Sequence, residues 1–228
     1  MIRTNSDYVF VEQSIVKSKL PFIIIGAVLI FALIGAVWFY RSRKPSIVLN
    51  TKAGAPGAQP PQVIGANNPR VTIEEFGDFQ CPPCGKVHPV LKKVEEDYGA
   101  SVVIVFREFP MMQLHANALE AARAAEAAGL QGAFWQMHDF IYDTQEMWSN
   151  WRDVRSVFAR QGTIMGLDPK RLRSDMDSAA VQQRIAADQQ RGQSLGVVGT
   201  PTFFLNGRLI APEELEHLRE LIDAALKQ

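Results

Sequence analysis

Cys81 and Cys84 are the two cysteines of this chain, and Pro82-Pro83 stands between them. Two thiols at that spacing can close a disulfide, bind a metal, or exchange disulfides with another protein. Val71-Thr72-Ile73-Glu74-Glu75-Phe76 runs ahead of them with the alternation of a strand. Gly85 to Val94 runs behind, placing Val87, Val90, Leu91 and Val94 on one helical face. A helix start carries unpaired amides and partial positive charge, which favour an anion. Cys81 falls at the N-cap, and Pro82 at the first helical position, where proline fits. A thiolate at Cys81 is therefore expected to be stabilised, with a pKa below the free value of roughly 8.5. Cys84, nearly one turn on, lies on the same side and can resolve a mixed disulfide formed on Cys81.

Three other uses of the pair compete. A zinc site needs about four ligands; His88 supplies a third at helical spacing, and no fourth is apparent. Covalent haem attachment needs histidine directly after the second cysteine, where this chain has Gly85. A structural disulfide across so short a loop removes little chain entropy. Redox exchange is the reading carried forward, with no metal and no organic cofactor: the redox-active Cys81–Cys84 disulfide carries the chemistry. Glu75, six residues before Cys81, shares a strand face with Val71 and Ile73. A carboxyl among apolar neighbours has a raised pKa and can pass a proton to Cys84. The alternative is an exposed strand carboxylate, which Glu74 beside it is expected to be.

The elements that position these residues begin further upstream. The 228 residues carry 24 Lys plus Arg and 24 Asp plus Glu. That balance lacks the basic excess of a nucleic-acid-binding surface, and so few cysteines exclude a disulfide-scaffolded small protein. Residues 1–19 form a short polar segment. Residues 20–40 are free of charge, end in Trp38-Phe39-Tyr40, and are stopped by Arg41, Arg43 and Lys44. At about 1.5 Å per residue this run spans a hydrocarbon core of about 30 Å, with its aromatics at an interface. It reads as a single transmembrane anchor. A cleaved signal peptide is disfavoured by the run's length and by the lack of a small-x-small site. The flanking lysines and arginines lean toward a cytoplasmic C-terminal domain. Disulfides persist outside the cytosol, so the catalytic domain is expected on the extracytoplasmic, periplasmic side of the cell membrane. Residues 41–70, rich in Pro, Gly, Ala and Asn, read as a flexible linker.

Val71 to Cys84, followed by His88-Pro89-Val90-Leu91, resembles the active-site segment of DsbA-like thioredoxin-fold thiol–disulfide oxidoreductases. The resemblance covers roughly residues 65 to 225. It implies an α/β thioredoxin fold over residues 71–228 with an inserted helical subdomain at about 113–195; it does not extend to the transmembrane segment that precedes this domain. It implies attack by Cys81, resolution by Cys84 and a buried acid at Glu75. It also implies a cis Pro201 facing the cysteines, where Thr200 and Pro201 would receive a substrate strand. His115 and His138 match family positions without an evident chemistry.

The residues themselves support that layout. Ser101 to Arg107 reads as a buried strand, after which Phe106 to Pro110 leave the sheet. Asn117–Ala128, Phe134–Tyr142, Val154–Ile164 and Ala179–Gln193 read as helices, with a short one opened by Asp168-Pro169. Trp135, Phe140, Trp148 and Trp151 are expected in the core of that subdomain. Asn206-Gly207 is a two-residue hairpin turn joining Thr202–Leu205 to Arg208–Ile210. Pro212 opens a last helix with Leu215, Leu218, Leu221, Ile222 and Leu226 inward.

The functional expectation is a membrane-anchored dithiol–disulfide oxidoreductase working in the oxidative direction. Its partners would be protein or peptide thiols and disulfides, plus a membrane redox partner that resets the pair. An isomerase or reductase, a chaperone, and a metal-delivery protein using Cys81, Cys84 and His88 are the alternatives. Pro82 and Pro83 offer the sulfur neither charge nor an N–H, so a less oxidising couple than in relatives with histidine between the cysteines is expected.

Overall fold

The computed structural model describes Ile25, residues 29–35 and residues 54–228. Most of the expected anchor, 20–40, lies outside the described residues. Residues 29–35 are helical, with Leu29, Ile30, Phe31, Leu33 and Ile34 exposed. Among the described residues no helix is long and apolar enough to cross a membrane.

Residues 54–228 hold a five-stranded sheet flanked by helices. Its strands are β1 (Gln62–Gly65), β2 (Val71–Gly77), β3 (Val102–Glu108), β4 (Thr202–Leu205) and β5 (Arg208–Ile210). They lie in the order β1-β3-β2-β4-β5. β2 and β3 are parallel, with Ile73 opposite Ile104, and α1 (Pro82–Tyr98) makes the crossover between them. The other pairings are antiparallel. Asn206 and Gly207 both take positive φ, 48° and 77°, as a tight hairpin turn between β4 and β5 demands.

Six helices separate β3 from β4: α2 (Ala118–Gly129), α3 (Phe134–Asp143), α4 (Gln145–Trp148), α5 (Val154–Ile164), α6 (Pro169–Met176) and α7 (Ala179–Ser194). This is the inserted subdomain. Asp153, Asp168 and Ser178 cap α5, α6 and α7 with side-chain oxygens on backbone amides. The chain ends in a 3-10 turn, Pro212–His217, and α8 (Leu218–Leu226).

Apolar side chains cover both faces of the sheet. On one, Val71, Ile73, Ile104 and Phe203 pack against Leu91 and Val94 of α1 and Leu218 and Ile222 of α8. The other carries Phe76 and Phe204, packed with Phe109 and Val197. A strand buried on both sides loses the alternation that marks a solvated face, and every residue of β2 except Thr72 is buried.

That double cover corrects several expectations. Glu74 is not exposed: it is 1% accessible, on the sheet face away from Glu75. β3 continues through Arg107 and Glu108, both buried, instead of leaving the sheet at Phe106. On α1 the buried stripe is Cys84, His88, Leu91 and Val94, so Val90 turns outward. Trp148 is buried and Trp135 and Phe140 pack against the subdomain core. Trp151 is 54% exposed, because it precedes α5 and belongs to no helical face.

The linker expected over 41–70 also ends sooner. From Gly54 onward the chain is part of the domain. β1 pairs with the edge of β3, and Ala58 is buried. The Ala55 and Ala58 amides donate to Ser194 Oγ and Asp188 Oδ1 at 2.9 and 2.8 Å. Backbone groups paired with distant side chains hold this segment, and composition does not reveal such partners.

Candidate active site

β2 delivers the chain to the site, and Asp78 turns it into α1. The buried Asp78 carboxylate accepts from the Gln80 amide at 2.7 Å and the Met111 amide at 2.8 Å. His115 Nδ1 lies 2.8 Å from Oδ2, the same oxygen that accepts from Met111. The Asp78 carbonyl accepts from the Cys81 amide at 3.0 Å. From across the insertion, Gln145 Nε2 donates to the carbonyls of Phe79, at 2.7 Å, and Cys81, at 2.9 Å. Gly85 permits that approach, since a Cβ there would stand 2.5 Å from Gln145 Oε1. Loop and helix start are thus clamped from two sides.

Cys81 is the N-cap of α1, and Pro82 and Pro83 occupy the first two helical positions with their rings outward. Both cysteines are free thiols. Cys81 is 4% accessible and Cys84 fully buried, so what access there is belongs to Cys81. The Cys84 thiol, then the Thr200 side chain and the Cys84 amide, pull the Cys81 thiol down to about 6. Burial and the Asp78 charge oppose them. Cys81 Sγ also lies 3.3 Å from the Thr200 carbonyl oxygen, an acceptor that favours the thiol form. The donors outweigh it. Cys84 moves the other way: burial first, then the Cys81 sulfur and the Glu75 carboxyl, push its thiol far up. Two thiols of one helix turn are thereby driven apart in acidity.

Glu75 lies on the α1 side of β2, 2% accessible. Burial, and secondarily the Cys81 charge, raise its carboxyl to about 8. It therefore carries a proton at neutral pH, next to the cysteines. The Thr200–Pro201 peptide bond is cis, and its carbonyl contact puts this turn against the nucleophile. Cys81, Cys84, Glu75, Thr200 and Pro201 thus meet at one end of the sheet, with Pro82 and Pro83 on its outer rim. His88 and His138 sit behind them, ring centroids 5.3 Å apart. Among the described residues, the cluster of metal-ligating side chains that includes His88 contains neither cysteine.

Sequence reasoning did not find Asp78 or Gln145. Asp78 had a local signal, an Asp two residues ahead of the amide it caps. Gln145 had none, since its partners are more than sixty residues away.

The sequence profile of the thioredoxin family matches residues 58–224. This chain belongs to the thioredoxin family. Its fold is close to that of oxidised BdbD from Bacillus subtilis, with a TM-score of 0.68 over 78% of this chain and 99% of that one, at 22% identity. A probable disulfide bond formation protein D of Bacillus anthracis is 29% identical over 174 residues, 73% of this chain and 79% of that protein. The Na(+)/H(+) antiporter NhaA 3 of Salinispora tropica is 39% identical over 147 residues, 64% of this chain. The match spans 22% of the antiporter's length, so it concerns one part of that larger protein. Residues 58–224 accordingly form a thioredoxin-family domain whose fold is shared with BdbD.

Proposed function

We propose that this chain is a membrane-anchored dithiol oxidase of extracytoplasmic proteins, working through Cys81-Pro82-Pro83-Cys84. The observation that carries the exchange chemistry is the split acidity of the pair: Cys81 down to about 6, Cys84 far up. In the oxidative direction a substrate thiolate attacks Cys81 Sγ of the disulfide. The Cys81–Cys84 bond breaks as the mixed disulfide forms, and Cys84 leaves as a thiolate. Glu75, protonated at neutral pH, gives that sulfur a proton. A second substrate thiolate then attacks the mixed disulfide on the substrate's own sulfur, and Cys81 leaves as the stabilised thiolate. Two electrons pass to the pair, and a membrane redox partner would take them away.

The surroundings suit an extended polypeptide. A groove of about 860 Å³ runs beside Pro82, lined by Gln80, Leu114, His115 and Met147 among others. Leu114, Met147 and Val198 stand 72%, 67% and 91% exposed. Leu114 and Met147 line the groove, so it offers apolar surface to a bound polypeptide. The charge-free 20–40 segment supports the anchor, and the chemistry of disulfides supports an extracytoplasmic domain.

The test is Cys84→Ala in the full-length protein. With no resolving thiol, mixed disulfides should accumulate on Cys81 and disappear on reduction. Adducts with proteins of the extracytoplasmic space are expected. Adducts confined to cytoplasmic proteins would overturn the placement, and none at all would overturn the exchange reading.

A further inference from the structure

Behind the sulfurs, α1 and α3 bring together a second group of donors that exchange does not use. His88 Nε2 lies 3.3 Å from Asp143 Oδ1 and 3.8 Å from Asp139 Oδ1. His138 Nδ1 lies 3.0 Å from Asp139 Oδ1. One nitrogen from each imidazole and one Asp139 oxygen fall within 4.8 Å of one another. The imidazoles are 3% and 4% accessible, whereas Asp139 and Asp143 open toward solvent at 37% and 56%.

His88 Nε2 is buried within 3.8 Å of two carboxylates yet makes no hydrogen bond. A buried polar atom without a partner costs about 1–3 kcal/mol, and an ion or water is the usual remedy. A neutral imidazole offers a lone pair to a metal.

We propose that His88, His138, Asp139 and Asp143 form a binding site for one divalent transition-metal ion of the zinc class. Two imidazole nitrogens and two carboxylate oxygens are a zinc-type donor set with bonds of about 2.0–2.2 Å. A tetrahedral shell of that size separates its ligand atoms by about 3.3 Å. The observed 3.0, 3.3 and 3.8 Å bracket that value. One side is walled by a buried aromatic group: Phe106, Trp135 and Tyr142 lie 4.8 to 5.0 Å from the His138 ring. The other faces solvent through the two aspartates and gives the ion a way in.

Lys92 is the competitor. Its Nζ lies 3.3 Å from Asp139 Oδ2 and 3.9 Å from Asp143 Oδ2, and it is 42% exposed. A bound ion would push this ammonium outward on its flexible stem. The site holds neither cysteine, so it can be tested apart from disulfide exchange.

The experiment uses the full chain with both cysteines replaced by serine, so that thiolates cannot ligate. Zn²⁺ is titrated calorimetrically, and Co²⁺ is followed by its visible absorption. One ion per chain is expected, with a tetrahedral cobalt spectrum free of sulfur charge-transfer bands. Asp143→Asn should weaken binding about 10–100-fold, as loss of a ligand or its support does. Lys92→Gln should tighten it severalfold, a gain that a merely structural cluster would not show. These two changes lie at exposed positions and keep the test sound if His88→Gln fails to fold. Absence of saturable uptake, or uptake indifferent to both Asp143→Asn and Lys92→Gln, would overturn the site.

Discussion

Glu75 keeps a proton that an unfolded chain would release. Its folded value is about 8 and its ordinary value 4.5. Between those values the folded protein holds one proton more than the unfolded chain, so stability falls as pH rises. At pH 7 the difference amounts to about 3 kcal/mol. Cys81 acts in the opposite sense in the dithiol form: its depressed value stabilises the fold at high pH, and that contribution is lost as pH falls through about 6. Glu75→Gln should therefore leave stability unchanged near pH 4 and raise it by about 2–3 kcal/mol at pH 7. Urea unfolding of the dithiol form at both pH values checks this. The same variant should slow mixed-disulfide resolution by Cys84 by about a hundredfold, the usual scale for a lost acid–base group. An equal rate at all pH values would remove Glu75 from the reaction. The pair and Glu75 were legible in the sequence because their types and spacing are local. The burial of Glu74 was not: alternation assumes one wet face, and this sheet has none at that position.

At the scale of elements, the fold depends on ions buried between the sheet and α7. Glu74 accepts from Arg107 Nε at 2.8 Å and from Arg191 Nε and Nη2 at 2.6 and 2.7 Å. Burial raises its carboxyl, and the Arg191 and Arg107 guanidiniums outweigh that and hold it below its ordinary value. Asp188 takes Arg107 Nη1 at 3.0 Å. The segment before β1 closes the group: the Ala55 and Ala58 carbonyls accept from Arg191 and Arg107 at 2.8 and 3.0 Å. Gly57, at φ 73°, leaves the space that a Cβ would take from Arg107, Arg191 and Asp188. Helices α2, α3, α5, α6 and α7 were legible from periodicity and caps. This segment was not, because its Pro, Gly and Ala composition is that of a linker and its partners come from the far side of the fold. Arg191→Met should destabilise the domain by about 3–5 kcal/mol, the cost of stranding a buried charge. Adding Glu74→Gln should recover part of that loss. The Cys81 titration near pH 6 should not move, since the ion group lies on the opposite sheet face from Glu75.

Net redox direction belongs to the whole molecule, because compartment, tether and couple act together. The proposed anchor would keep the domain beside a membrane partner, and that partner can drain electrons only if the couple is poised below it. The poise follows from how much the fold stabilises the Cys81 thiolate. Pro82 and Pro83 remove two amides from the helix start, leaving the Cys84 thiol and amide and Thr200 as donors. The outcome, about 6, lies between thioredoxin at about 7 and DsbA at about 3.5. At pH 7, relative to DsbA, some 2.5 pKa units of thiolate stabilisation are missing, and a tenfold change corresponds to about 30 mV. The couple should then lie near −200 mV, below the roughly −120 mV of DsbA and above the roughly −270 mV of thioredoxin. Equilibration with glutathione buffers, read by thiol alkylation, measures it. A value near −270 mV would make the protein a reductant and reverse the proposed flow. Pro83→His supplies the matching test of cause: a cationic ring beside the sulfur should lower the Cys81 pKa and raise the potential together.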